Sequence, residues 1–407
     1  MSKDTDSSVA VEHVSYAYPG SAFNLNDISL AIGSGSRFAI VGPNGCGKTT
    51  LLKIIGGHFA PDSGRILVGA TDITRLSAAR RPMVTVFQDL ALFPHLNVRQ
   101  NVAYGIQFKC HKRKADALAE AETWLERFGL KNESGRLPVE LSLGTQQRVA
   151  IARAIATGQR VILLDEPTSS LDTIEKRRLA KYILSAADKH WFSTMVMVSH
   201  DLAFASSLCD DFAILKQGEL VAQGSVARFY RDPVDCWTAG YLDTHNVIPG
   251  QVDDQLLFHP TGLPRSSVSV PGDQQSLNGA RCFALCRPDD IHLDPGGPPD
   301  ALTLDCSVVD VRFRSCVVSV GVRCGDHLLR AELMPRDVPA AVLPGDTIPV
   351  WIMRSAFRFL PWPGYDPSFE ELETSLQPVS ASTEASPDAR HDRIAMPAEL
   401  ETEGDLR

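Results

Sequence analysis

One octapeptide constrains this chain more than anything else in it: Gly42-Pro43-Asn44-Gly45-Cys46-Gly47-Lys48-Thr49. It satisfies the pattern G-x-x-x-x-G-K-[ST] at every fixed position. The apolar run at 37–41 ahead of it reads as a buried strand, and residues 50–55 read as the first turns of a helix. Strand, loop and helix in that order are the setting in which this pattern binds phosphate. The glycines let the backbone curl so that successive N–H groups face one point. The helix start adds unpaired donors and the positive end of its dipole. Lys48 then supplies a point charge to the β- and γ-phosphates, Thr49 a hydroxyl to a magnesium ion, and Thr50 the next contact along the helix.

The sheet that such a loop requires is traceable downstream. Residues 9–16 and 25–32 predict two strands around a turn at Pro19-Gly20, and 65–68 and 84–87 predict two more. The ring of Tyr18 lies where an aromatic ahead of the loop would stack on adenine, although a tyrosine at a strand edge more often only packs. Gln88 closes the strand 84–87. Residues 98–135 are helix-rich, and Leu118, Ala121, Leu125 and Phe128 mark an amphipathic helix over 115–128. Ser142 stands where a helix N-cap would, ahead of an alanine- and isoleucine-rich helix at 149–156. With Gly144 it forms either a plain cap or an anion site built from hydroxyl, backbone and dipole.

Val161, Ile162, Leu163 and Leu164 read as a buried parallel strand that delivers Asp165 and Glu166 to its C-terminal end. Ligands bind at that edge of an open α/β sheet. Two carboxylates on a buried strand are costly without a cation nearby, which points to magnesium and to activation of water. Residues 169–172 turn into a helix at 174–187. A further buried strand at 195–198 ends in Ser199-His200-Asp201, which places His200 in register with Lys48 and Asp165. A hairpin around Gly218 closes the domain near residue 240.

Composition bounds the rest. A chain of 407 residues holds two or three domains. A net charge of −9 disfavours general nucleic-acid binding. Nine cysteines without CxxC pairs read as free thiols or small buried hydrophobes in a reducing compartment. The start lacks an apolar signal region, and no apolar stretch reaches the roughly 18 residues of a membrane span. A cytoplasmic protein is expected, with any membrane role exerted through a partner. Residues 241–280 read as a Pro-, Gly-, Ser- and Gln-rich linker with short strands. Residues 281–362 carry strand-like runs at 303–311, 315–323, 327–333 and 347–352 and predict a small β-barrel. The tail at 363–407 is acidic, with eleven acidic against three basic residues from Asp366 onward, and is expected to be disordered.

Taken together these motifs resemble the nucleotide-binding subunit of an ATP-binding-cassette (ABC) transporter, across residues 9–240. Six elements occur in the family's order: the Walker A loop at 42–49, the Q-loop glutamine Gln88, the signature at 141–147, Walker B at 161–166, the D-loop at 169–172 and the switch histidine His200. The base-reading N-K-x-D motif of GTPases is missing. Cys286-Arg287-Pro288-Asp289-Asp290-Ile291-His292-Leu293 and the strands that follow are similar to the TOBE-type, OB-like domain of bacterial import ATPases. Residues 80–106 are most similar to polyamine and ferric-iron importers.

The resemblance implies an α/β P-loop NTPase cassette in 1–240, with a helical subdomain at about 90–150. It implies ATP and Mg2+ as ligands, with Gly42 to Thr50, Ser142 and Gly144 on the nucleotide. Thr49, Gln88 and Asp165 would hold the metal, and Glu166, His200 and Gln88 would act in hydrolysis. It further implies a homodimer and permease subunits at the cytoplasmic side of the membrane, served indirectly by a solute-binding protein, and no nucleic-acid partner. The import motor competes with a soluble ABC protein acting on ribosomes or DNA, and with a regulatory module that binds ATP without turning it over. One departure keeps the last in play: the signature LSGGQ reads Leu141-Ser142-Leu143-Gly144-Thr145, with Leu143 in place of a glycine and Thr145 in place of a glutamine.

Overall fold

A computed structural model describes residues 6–362, apart from 19, 21–22, 170, 264–265, 315 and 340–341. The reading of 363–407 as a disordered tail lies outside the described residues. The first part of the chain runs β1 (Val9–Ala17), β2 (Asn24–Ile32), β3 (Arg37–Val41), α1 (Lys48–Ile55), β4 (Ser63–Val68), β5 (Thr71–Asp72) and β6 (Met83–Val86). It continues with α2 (Val98–Lys109), α3 (Lys114–Arg127), α4 (Leu143–Ile155), β7 (Val161–Asp165), α5 (Thr173–Asp188), β8 (Thr194–Val198), α6 (Leu202–Leu208), β9 (Asp211–Lys216) and β10 (Glu219–Ser225).

The organising layer is a six-stranded sheet in the order β10-β9-β3-β8-β7-β6. Its strands β9, β3, β8, β7 and β6 pair in parallel, and β10 is antiparallel at the edge. Every residue of β7 and β8 is buried, as expected of strands covered on both faces. Alternate residues serve the two faces. Ile162, Leu164, Met195 and Met197 join one core with α2 to α6, while Leu163, Val196, Val198 and Ile40 join a second with α1 and the antiparallel sheet β2-β1-β4-β5. The parallel strands therefore end together beside the loop that precedes α1. Helix α4 begins at Leu143, six residues ahead of the expected start, because Ser142 Oγ accepts from Thr145 N and caps it there.

The remaining elements are α7 (Val226–Arg231), α8 (Cys236–Tyr241), β11 (Asn246–Val252), β12 (Leu257–Pro260), β13 (Val268–Ser269), β14 (Arg281–Cys286), β15 (Ile291–His292), β16 (Ala301–Arg314), β17 (Val317–Cys324), β18 (His327–Leu333), β19 (Thr347–Met353) and β20 (Arg358–Pro361). They build two curled antiparallel five-stranded sheets, β13-β12-β11-β14-β20 and β15-β19-β16-β17-β18. Ile248, Phe258, Ala284 and Phe359 of one sheet share a core with Val320, Leu329, Val350 and Ile352 of the other, as in a small barrel. The stretch 241–280, which reads in the sequence as a linker with short strands, contributes β11, β12 and β13 to the first sheet. The expectation of unpaired cysteines needs correction: Cys306 and Cys324, on the paired strands β16 and β17, are joined by a disulfide. The other seven are free, and most of them are buried.

Helix α8 belongs to both parts. Its Trp237 packs in the core of the sheet domain. Its Cys236 and Ala239 pack on Phe283 and Leu285 of β14.

Candidate functional site

The phosphate loop is shaped by positions that only glycine fills. Gly47 caps α1 at φ 104°, and a Cβ there would stand 2.5 Å from Leu25 and 2.7 Å from the Phe23 ring. At Gly42 a Cβ would meet the Leu215 carbonyl oxygen at 2.2 Å. The loop curls around the ammonium of Lys48, whose Nζ donates to the carbonyl oxygens of Gly42 and Pro43, each at 2.9 Å. Lys48 is almost fully buried. An ammonium held by two neutral carbonyls keeps its whole charge available to an arriving phosphate.

Strand β7 delivers its two acids as the sequence predicts, and they differ in setting. Asp165 is buried, and Thr49 Oγ1 donates to its Oδ1 at 2.9 Å. Burial raises its carboxyl above the ordinary range; the Thr49 hydrogen bond and the charges of Lys53 and Lys48 pull the other way, while Glu166 adds to the rise. A carboxylate so placed gains from a cation. Glu166 sits at φ 46°, a backbone conformation rare outside glycine, fixed by its amide donating to the Val198 carbonyl at 3.0 Å. That twist directs its carboxylate to His200, whose Nδ1 donates to Glu166 Oε2 at 2.7 Å. The imidazole is half exposed and the carboxylate nearly buried.

These groups line one cleft of about 450 Å³, with Lys48, Thr49, Thr50, Asn44, Gly45, Gly47, Gln88, Glu166 and His200 in its wall. A second cleft adjoins it, lined by Thr49, Lys53, Gln88, Asp89, Asp165 and Ser169. Thr49 and Gln88 face both. The oxygens of Thr49, Gln88 and Asp165 make the hard donor set that suits magnesium.

The structure does not bring every sequence candidate into this cleft. The Tyr18 hydroxyl lies 3.2 Å from Thr50 Oγ1, and its ring packs edge-on against Tyr16 and Phe59 rather than lining the cleft. The aromatic in the wall is Phe23, immediately before β2. Ser142 and Gly144 stand at the start of α4 and line neither cleft. Tyr241 was not a sequence candidate. Its hydroxyl hydrogen-bonds the backbone of Gly42, and burial raises its pKa. Nothing in the local sequence of α8 signals this contact; it depends on the helix folding back behind the loop.

Comparison with known proteins fits this geometry. Residues 25–169 match the ABC transporter domain family. A Fe(3+) ions import ATP-binding protein of Agrobacterium fabrum is 41% identical over 248 residues, 61% of this chain and 69% of the relative. A spermidine/putrescine import ATP-binding protein of Protochlamydia amoebophila is 35% identical over 327 residues, covering 78% and 86% of the two chains. The chain belongs to the ABC transporter family. A sulfate/thiosulfate import ATP-binding protein of Chromobacterium violaceum extends the match to 83% of this chain and 91% of the relative, at 34% identity. That alignment reaches well into the β-rich part. The chain is thus an ATP-binding ABC ATPase subunit of the importer type, and the cleft between α1 and β7 is its candidate nucleotide site. Among the described residues no helix is long and apolar enough to cross a membrane.

Proposed function

We propose that this chain drives uptake of a small solute by binding and hydrolysing ATP between two copies of itself, at the cytoplasmic face of a membrane permease. The observation that carries the reading is the meeting of Lys48, Glu166 and His200 in one cleft, with Glu166 held at 2.7 Å from the imidazole. In this reading the loop amides and Lys48 neutralise the phosphates, and Phe23 flanks the base. Thr49, Asp165 and Gln88 hold Mg2+, which supplies charge neutralisation at the phosphate oxygens. Glu166 orients and deprotonates the attacking water, with His200 and Gln88 placing it. Such chemistry is mostly positioning and electrostatic stabilisation. Ser142 and Gly144, outside the cleft of their own chain, serve the nucleotide of the second copy, which makes the head-to-tail pair the working unit.

The permease contact falls next to Gln88. On α2, Tyr104 and Phe108 pack with tilted rings 4.2 Å apart and extend from Phe93, and both side chains are exposed. Exposed aromatics in a continuous row favour a docking role. Relatives of similar identity are named for ferric iron, polyamine and sulfate, so the cargo is set by the other subunits. For this chain we favour ferric iron or a polyamine, delivered by a solute-binding protein, on the resemblance of residues 80–106.

One observation favours a second reading, a regulatory subunit that binds ATP without turning it over. Leu143 is exposed in the signature turn, and the Ser142 hydroxyl donates to Thr145 Oγ1 at 3.1 Å, within its own chain. Phosphate release by the purified full chain with ATP and Mg2+ separates the two. The motor reading expects steady hydrolysis that falls to background in Lys48→Ala. ATP binding with no release of phosphate in the unsubstituted chain supports the regulatory reading instead.

A further inference from the structure

The signature turn is pressed by a negative charge from its own chain. A Cβ on Gly144 would stand 2.5 Å from one carboxylate oxygen of Glu175 and 3.1 Å from the other. Glu175 lies in the first turn of α5 and is fixed by that helix. Asp172 Oδ1 accepts from the Glu175 amide at 2.7 Å, and Leu179, one turn on, is buried and sets the helix rotation. The next residue, Lys176, turns to Asp201 at 2.6 Å, so its ammonium neutralises that carboxylate instead of Glu175. On the α4 side, Arg148 Nη2 donates to Thr145 Oγ1 at 3.1 Å, which is the same oxygen that Ser142 donates to. The start of a helix attracts anions through its free N–H groups and dipole. In the free subunit the Glu175 carboxylate stands beside that helix start.

We infer that Glu175 is a positioning residue that sets the threshold for ATP-driven closure. Its carboxylate rests on Gly144 until the γ-phosphate carried by the second copy displaces it. The inference rests on the reading of Ser142 and Gly144 as the receiving half of the ATP site. Two anions cannot share one helical turn without repulsion, so part of the attraction for the incoming phosphate is spent on moving or tolerating the carboxylate. A side chain at Gly144 would meet the Glu175 carboxylate, the end of a flexible side chain that can swing aside, whereas Leu143 is exposed.

The test uses the full chain carrying Glu166→Gln, so that bound ATP persists. The ATP concentration that half-maximally drives dimerisation is measured by light scattering, with Glu175 intact, as Glu175→Gln and as Glu175→Asp, each normalised to that protein's own ATP affinity. Glu175→Gln keeps the shape and removes the charge. It is expected to lower the midpoint about three- to tenfold, and the gain should shrink in about 1 M salt, where screening is short-ranged. Glu175→Asp, which keeps the charge but draws it back by one methylene, should fall between the two. A merely structural role would weaken the dimer in both variants, and that result, or equal midpoints at low salt, overturns the inference. If all three proteins bind ATP and none dimerises, the two-copy reading falls and takes this one with it. Equal midpoints with normal dimers refute only the role of Glu175.

Discussion

Replacing Glu166 by glutamine isolates charge from shape in the hydrolytic half of the site. The amide oxygen of glutamine can still accept from His200 Nδ1, now 2.7 Å from the carboxylate, so the imidazole keeps its place. The backbone at φ 46° is held by the Glu166 amide and the Val198 carbonyl, neither of which changes. What is lost is the capacity to take a proton from water. A positioned general base is worth about 10²–10⁴ in rate, which is about 3–5 kcal/mol of barrier. The expected result is turnover reduced by that factor with ATP affinity within about threefold of the unsubstituted chain, since Lys48 and the loop are untouched. Steady-state phosphate release and nucleotide binding on the same preparation decide it. Turnover within a few-fold of normal would refute the assignment of Glu166. Loss of turnover together with loss of ATP binding would show that the variant disturbs the cleft, and the argument from charge would fail.

Further perturbations separate neighbouring claims. Phe23→Ala should weaken ATP binding by about 1–3 kcal/mol, the worth of stacking a base on an aromatic ring, while leaving inorganic triphosphate binding unaltered; Tyr18→Leu should change neither, and the reverse pattern would return the base to Tyr18. Asp165→Asn should raise the Mg2+ requirement for turnover about tenfold or more. Burial raises the Asp165 pKa, so the metal-free folded protein holds that proton more tightly than the unfolded chain. The cost of ionising Asp165 is therefore absent below the ordinary aspartate range and appears as pH rises through it. Asp165→Asn should remove that part of the pH dependence of the metal-free melting temperature. Burial, with Arg287 and Arg358 nearby, depresses His245 to about 4. The unfolded chain takes up this proton first on acidification, so stability should fall as pH drops from about 6.5 towards 4. At pH 5 the loss is about 2 kcal/mol relative to pH 7, and it should be missing from His245→Gln in urea titrations.

Much of the candidate nucleotide site is legible in the sequence because it is local. The loop 42–49 carries its glycines, its lysine and its threonine in one octapeptide, and β7 announces itself by four apolar residues ending in Asp165 and Glu166. His200 follows the same logic at the end of β8. What fails is what depends on distant chain. Short strands within 241–280 are legible, but not that β11 pairs with both β12 and β14, β12 with β13, and β14 with β20 to make one sheet. The disulfide between Cys306 and Cys324 requires the register of β16 against β17, which separate residues on a sequence do not reveal. Tyr18 and Phe23 are both aromatics ahead of the loop, and only the packing of Tyr18 with Tyr16 and Phe59 tells them apart. Glu175 reads as an ordinary first-turn acid until α5 is laid against Gly144.

The central claim, that this ATPase works on a membrane permease, is tested most directly by recovering the tagged full chain from gently solubilised native membranes and identifying the chains that come with it. The account predicts at least one multi-span membrane protein in stoichiometric yield, lost when Tyr104 and Phe108 are both replaced by serine in a chain that still binds ATP. Recovery of the chain with no membrane partner, or with ribosomal proteins, would contradict it.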